Sequence, residues 1–342
     1  MEAYAQTVAG KVPVAELGHT LMHEHILCDL RAPADRCEPA PEPITMHNRF
    51  EIDYFQNRVP ENMLLDEDAA AKADLNRFAS AGGGTIVELT VGGMAPQPER
   101  LKALSQASGV NVVIGAGWYT QDYLPPELDR ADETSIQAEI EAQVLTGAWG
   151  TDIRCGIIGE IGCSWPITPT ERRILTAAAR AQRTTGAALT IHPGRNPDAP
   201  AEIAGIVKAA GGDPERTVIG HMDRTIFDDD RLIALLDQGF VLEWDFFGIE
   251  TSQYWMAGVD LDLPTDAMRL DLIRRLIDRG HLEQIAMSHD ICTRTRLSSH
   301  GGHGYAHLIA HVVPLAGRRG FSKVELDQLL VATPARLLGF LN

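Results

Sequence analysis

The chain has 342 residues, 44% of them hydrophobic and 23% charged, with a formal net charge of -17. That balance argues against a nucleic-acid surface, which draws on clustered Lys and Arg, and no run approaches the ~18 uninterrupted apolar residues of a membrane helix. Cys28, Cys37, Cys155, Cys163 and Cys292 form no CxxC pair and no regular spacing, so no disulfide framework is expected. The opening stretch MEAYAQTVAGKVPVAELG lacks a basic region followed by an apolar one, and the expectation is a cytoplasmic protein without a secretory signal.

Short apolar runs recur along the chain. HTLMHEHI (19-26) comes first; a Pro- and charge-rich segment, 31-62, then separates it from the Ala-rich helical pattern DEDAAAKADLNRFASAGGG. GTIVELTVG (84-92), NVVIGAG (111-117), RCGIIGE (154-160) and GAALTIH (186-192) follow, each after a helical pattern. In the helix before the last of these, Thr168 or Thr170 is the expected N-cap and Gly186 the expected C-cap. RTVIGH (216-221), GFVLEWD (239-245) and EQIAMSHD (283-290) complete a set of eight. Continuous apolar runs alternating with helices predict buried parallel strands in βα units. The fold expected is therefore an α/β (β/α)8 TIM barrel, with a doubly wound sheet as runner-up. Residues 1-342 read as a single domain; segments 31-62, 246-264 and 291-322 are its long βα loops.

A barrel of this kind carries its active site at the C-terminal strand ends. The residues closing the runs are His23, Glu24 and His25, then Glu160, His192, His221 and Asp290. Side chains alternate along a strand, so His23 and His25 share a face and Glu24 takes the other. A single histidine is most simply a strand cap or a satisfied core residue, and His19, His47, His281, His289, His300, His303, His307 and His311 are read that way. Four histidines and two acids at the ends of inner strands are different: together they are the ligand set of Zn and similar ions. Glu160 sits among small and apolar residues in GIIGEIGCS, where an ionised carboxylate needs a compensating cation. Six ligands exceed one tetrahedral site; two metals sharing a carboxylate would use all six.

HTLMHEH, TIVELT, GIIGEIG, ALTIHPG, IGHMD, MSHD and ATPARLLGF, in this order across nearly the whole chain, resemble the phosphotriesterase family of the amidohydrolase superfamily. The resemblance implies a barrel with a binuclear centre holding two divalent metal ions, Zn foremost, with Mn, Co or Fe as alternatives. His23, His25 and Asp290 would hold the more buried ion, His192 and His221 the more exposed one. Where the best-known members bridge the metals with a carboxylated lysine, this chain has Glu160, which matches the phosphotriesterase-related (phosphotriesterase homology protein) branch. A second departure is Phe246 after Asp245, in place of a relay histidine. Family members are often homodimers.

The expected function is hydrolysis of a small-molecule lactone, carboxylic ester or N-acyl amide, with a metal-bridging hydroxide attacking the carbonyl and Asp290 moving the proton. Trp118, Tyr119, Arg195 and Trp244 are the expected substrate contacts, joined, against the default reading of His303 above, by His303 and Tyr305 at the leaving group, and Arg224 is a cation suited to an acidic substrate. Cys28, Cys163 and Cys292, close to these ligands, read as small apolar fillers. The alternatives are phosphotriester hydrolysis, a non-catalytic metal-binding protein of the same fold, and a mononuclear deaminase or decarboxylase.

Overall fold

The computed structural model describes residues 3–33, 36, 43–256 and 259–340; Cys37 lies outside them. Eight parallel strands form one sheet: β1 (His19–Glu24), β2 (Gly83–Glu88), β3 (Asn111–Ala116), β4 (Ile157–Gly162), β5 (Leu189–His192), β6 (Thr217–Ile219), β7 (Val241–Trp244) and β8 (Ile285–Met287). Their order in the sheet is their order in the chain, and helices wrap the outside, so the fold is a TIM barrel.

The alternation of each strand divides the apolar residues into two layers. Met22, Val87, Val113, Ile157, Ala188, Val218, Val241 and Ala286, one from each strand or its edge, pack together inside the barrel. Leu21, Ile86, Ile114, Ile158, Ile191, Ile219, Leu242 and Ile285 belong to the larger core under the helices. An N-terminal hairpin, Tyr4–Thr7 with Gly10–Pro13, had no counterpart in the sequence reading. Its Ala5, with Leu17, Leu337 and Leu338, joins the inner layer and so plugs the end of the barrel opposite the strand C-termini.

The seam between β8 and β1 has no strand ladder. Side chains close it instead. Ser288 Oγ accepts from His23 N–H at 3.0 Å, and the Glu24 carboxylate accepts from Ser288 Oγ (2.8 Å), His289 N (2.9 Å), His289 Nδ1 (2.7 Å) and Ile291 N (2.9 Å). Glu24 thus uses the face opposite His23 and His25 to tie the two strands together.

Helix limits follow their caps. Thr168, not Thr170, caps Pro169–Thr185 in a box with Glu171, and Gly186 ends it at φ +74°, a left-handed turn that favours glycine. The long loops carry more structure than expected: a helix at Arg49–Tyr54, a hairpin of Gln253–Met256 with Val259–Asp262, and helical turns over Leu308–Arg318.

Candidate metal centre

His23 comes from β1, Glu160 from β4 and His192 from the end of β5, while His25, His221 and Asp290 lie one, two and three residues beyond β1, β6 and β8. All six converge at the C-terminal mouth, with exposures from 0% at His23 to 7% at Asp290; in so dry a site their mutual electrostatics are weakly screened. His221 and Asp290 adopt φ of +56° and +50°, left-handed backbone that costs an L-residue roughly 1–2 kcal/mol. Both are pinned there: His221 N–H donates to Asp245 Oδ2 (2.9 Å) and Asp290 N–H donates to the His23 carbonyl (3.1 Å).

Glu160 stands between two sets of donors. Its Oε1 lies 3.3 Å from His25 Nε2, and its Oε2 lies 3.0 Å from His192 Nδ1, 3.5 Å from His221 Nε2 and 3.6 Å from His23 Nε2. Asp290 Oδ1 is 3.4 Å from His25 Nε2 and 3.8 Å from His23 Nε2. His23, His25 and Asp290 form one group, Glu160, His192 and His221 another, with the ligand atoms of each within 4.8 Å of one another.

Residues behind the imidazoles decide which nitrogen faces inward. Thr90 Oγ1 donates to Glu88 Oε1 at 2.6 Å, so its lone pair is left for His25 Nδ1–H at 3.0 Å; Nε2 of His25 then carries the free lone pair. Asp245 Oδ1 is 2.8 Å from His221 Nδ1, and its Oδ2 is 3.2 Å from His23 Nδ1, which turns both Nε2 atoms toward the cluster. Asp245 is itself held: Asp223 Oδ2 accepts from its N–H at 2.8 Å, and Asp223 forms a buried ion pair with Arg269. Such orienting partners fix tautomer and ring position in metal sites.

Burial opposes charge on every member, and the outcome depends on the neighbours. At His25, Asp290 and Glu160 outweigh burial and raise the pKa to about 9. His23 is also raised, chiefly by Glu160. Glu160 is held well below the usual carboxylate range, against its burial, by the charge on His23 and hydrogen bonds from His192 and His221. His192 falls well below its ordinary value because burial and His221 both disfavour its cation. His192 Nδ1 and His221 Nε2 lie only 2.8 Å apart, and two ring nitrogens cannot both present lone pairs there without a proton or cation between them. Four imidazoles and two carboxylates in this arrangement suit divalent cations such as Zn.

The expected substrate contacts separate into two groups. Tyr119 reaches the cluster, its hydroxyl 3.4 Å from His192 Nδ1. Arg224, 2% exposed, lies with Nη2 3.2 Å from His192 Nε2; burial and Arg195 lower its pKa to about 10, so it stays a cation at neutral pH. Arg195 lies near Tyr254 and Tyr119, which favour its cation. His303 lines a cavity of about 310 Å³ that also includes Arg296, whose Nη1 is 3.9 Å from Asp290 Oδ2. Three residues go elsewhere. Trp244 packs in the core beneath the helices, because it alternates with the inward-facing Glu243. Tyr305 is fully buried and donates to the His25 carbonyl at 2.7 Å, which supports His25 from behind. Trp118 packs against Gly92, where an added Cβ would meet its Cδ1 at 2.4 Å. A larger cavity, about 600 Å³, is lined by Asp266, His307 and Arg318 and includes none of the six clustered residues.

Thr90, Glu88 and Tyr254 were not singled out from sequence, and Asp245 only as a broken relay. Asp245 had a usable signal, since it closes the 239-245 run as His192 closes its own; Thr90 had none. Cys28, Cys155, Cys163 and Cys292 are free and buried. Burial raises the Cys292 thiol to about 12, which fits the role of filler. No helix among the described residues is long and apolar enough to cross a membrane.

The phosphotriesterase family model matches residues 3–338. An N-acetyltaurine hydrolase from Salmo salar is 41% identical over 341 residues, covering 98% of this chain and 97% of its own. A resiniferatoxin-binding protein from Rhodobacter sphaeroides superposes with a TM-score of 0.92 at 35% identity, covering 98% of this chain and 94% of its own. The organophosphorus hydrolase from Deinococcus radiodurans gives a TM-score of 0.79 at 27% identity, with 98% and 97% covered.

Proposed function

The chain belongs to the phosphotriesterase family and is a hydrolase; from that premise we propose that it is a binuclear metal-dependent enzyme, one catalytic domain, that cleaves N-acyl amides in preference to lactones, carboxylic esters and phosphotriesters. The observation that carries the reading is the central position of Glu160, with Oε1 toward His25 and Oε2 toward His192, His221 and, at 3.6 Å, His23. The 41% identity to an N-acetyltaurine hydrolase supports the amide preference.

In this reading His23, His25 and Asp290 would hold one divalent ion and His192 and His221 the other, with Glu160 as a ligand common to both. The ions would polarise the scissile carbonyl and make water acidic enough to attack at neutral pH. The protein's own groups do the rest. Burial of all six ligands keeps bulk water from the reacting carbonyl. Asp290, the most open of the six, accepts the proton of the attacking water as the C–O bond forms and returns it to the amine nitrogen as the C–N bond breaks. Its carboxylate is suited to begin ionised: burial pushes its pKa up, but the hydrogen bond from His25 and the charge on His23 bring it below the ordinary value. The Tyr119 hydroxyl, beside His192, is placed to donate to the substrate.

Chelated protein reconstituted with Zn, Mn or Co, without bicarbonate, should recover activity at about two ions per chain. A screen of N-acyl amides, lactones, aryl esters and phosphotriesters should rank the amides first. A requirement for bicarbonate would mean that a carboxylated lysine, not Glu160, joins the ions, and a dominant phosphotriesterase rate would overturn the substrate preference.

A further inference from the structure

Arg224 is a buried cation with no paired carboxylate among the described residues. Its Nη2 lies 3.2 Å from the Pro193 carbonyl and 3.2 Å from His192 Nε2, and its Nη1 lies 3.3 Å from Thr225 Oγ1. Among the described residues no carboxylate comes within 4 Å of it, in contrast to buried Arg269 with Asp223 and Asp266, or Arg296 beside Asp290. A second guanidinium, Arg195, lies close enough to Arg224 to oppose its charge, and the buried Nε of Arg195 has no hydrogen-bond partner. Arg224 is fully buried and Arg195 half-buried, and among the described residues neither has a carboxylate within 4 Å, so the desolvation of Arg224 is not offset by a paired acid. An oxyanion between them would remove that cost and use their forked donors.

The His192 ring sharpens the point. Its Nδ1 faces Glu160 and the cluster; if that nitrogen gives its lone pair to a cation, Nε2 carries the proton and cannot accept from Arg224. Arg224 Nη2 then loses one partner and turns its donor to whatever fills the mouth. Only one imidazole ring separates this guanidinium from the ligand cluster, so an anion held here belongs to the substrate and is joined to the scissile carbonyl by a short spacer.

We propose that Arg224 and Arg195, with Tyr119 and Tyr254 beside them, form a recessed receptor for the sulfonate or carboxylate of a short-chain N-acyl amino acid or aminosulfonate. This rests on the amide-hydrolase reading for the nature of the substrate, but the receptor itself can be tested without turnover.

Calorimetry on the Zn-loaded protein with ethanesulfonate and with propionate tests the receptor directly and tells which oxyanion it prefers. Wild type should bind at least one, and Arg224→Met should weaken binding by about tenfold or more, the loss of one charge-assisted contact. Arg224→Lys should restore part of it. Kinetics on N-acetyl-2-aminoethanesulfonate, N-acetyl-β-alanine and neutral N-acetylethanolamine give a second readout. The wild-type KM should be lower for the acidic amides, and in Arg224→Met the ratio of neutral to acidic KM should fall toward one. If no amide is hydrolysed, the preceding reading fails while calorimetry still judges the receptor. Absence of oxyanion binding by wild type, or equal binding by a folded Arg224→Met with an unchanged melting temperature, would overturn the proposal.

Discussion

Asp245 illustrates how much a residue outside the ligand set can control. Its two oxygens face the Nδ1 atoms of His221 and His23 at 2.8 and 3.2 Å, and one of them also accepts the His221 N–H, which helps hold a left-handed φ. Gly220 makes room for it, since an added Cβ would lie 3.0 Å from Asp245 Oδ2. Asp245→Asn keeps the shape but places an amide donor against one of the two imidazoles. Metal affinity should fall by about 10- to 100-fold, read in a competition titration with a chromophoric chelator; unchanged affinity would remove Asp245 from the proposed centre. The glycines around Glu160 also have separate tasks. A Cβ at Gly159 would meet the Thr190 carbonyl at 2.0 Å, which is contact with the neighbouring strand, whereas at Gly162 it would meet Thr120 N at 2.2 Å, which is contact with the loop that carries Tyr119.

At the level of elements, β1 serves two purposes from opposite faces. His23 and His25 face the cluster, while Glu24 closes the barrel against the segment following β8 through His289 and Ile291. Glu24→Ala would leave those buried N–H groups and His289 Nδ1 unpaired, each at about 1–3 kcal/mol, so a loss of several kcal/mol in urea unfolding is expected. A loss under about 1 kcal/mol would mean that the seam is held by packing alone. Asp290 shares this seam through its N–H bond to the His23 carbonyl, so the same variant should also weaken metal binding.

For the whole molecule, the buried imidazoles couple folding to pH. In chelated protein the His25 pKa of about 9 lies above its unfolded value of 6.5, and His23 shifts in the same direction. A raised pKa contributes stability that is fully present below 6.5 and is lost as pH rises through about 9. The melting temperature of the chelated protein should therefore fall across that window. With Zn in excess the trend should reverse, because protons must leave the ligands before metal binds and apparent affinity rises with pH. A chelated melting temperature that climbs between pH 6.5 and 9 would contradict the charge assignment.

The barrel was legible because its strands are buried on both faces, so continuous apolar runs and intervening helices specify it locally; all eight runs became strands. The six clustered residues were legible for the same reason, since strand order in this fold brings strand ends to one mouth. The N-terminal hairpin was not, because its short strands are stabilised by the end of the barrel they cover. Trp244 and Tyr305 were assigned by proximity in sequence, but the face a side chain takes depends on register and packing: one turned under the helices, the other behind His25. Arg224 shows the division most directly. The sequence supplies a cation three residues after His221; only the tertiary structure determines that it is buried beside Arg195 with no carboxylate within 4 Å among the described residues, because what surrounds a buried charge is decided by every chain segment packed around it.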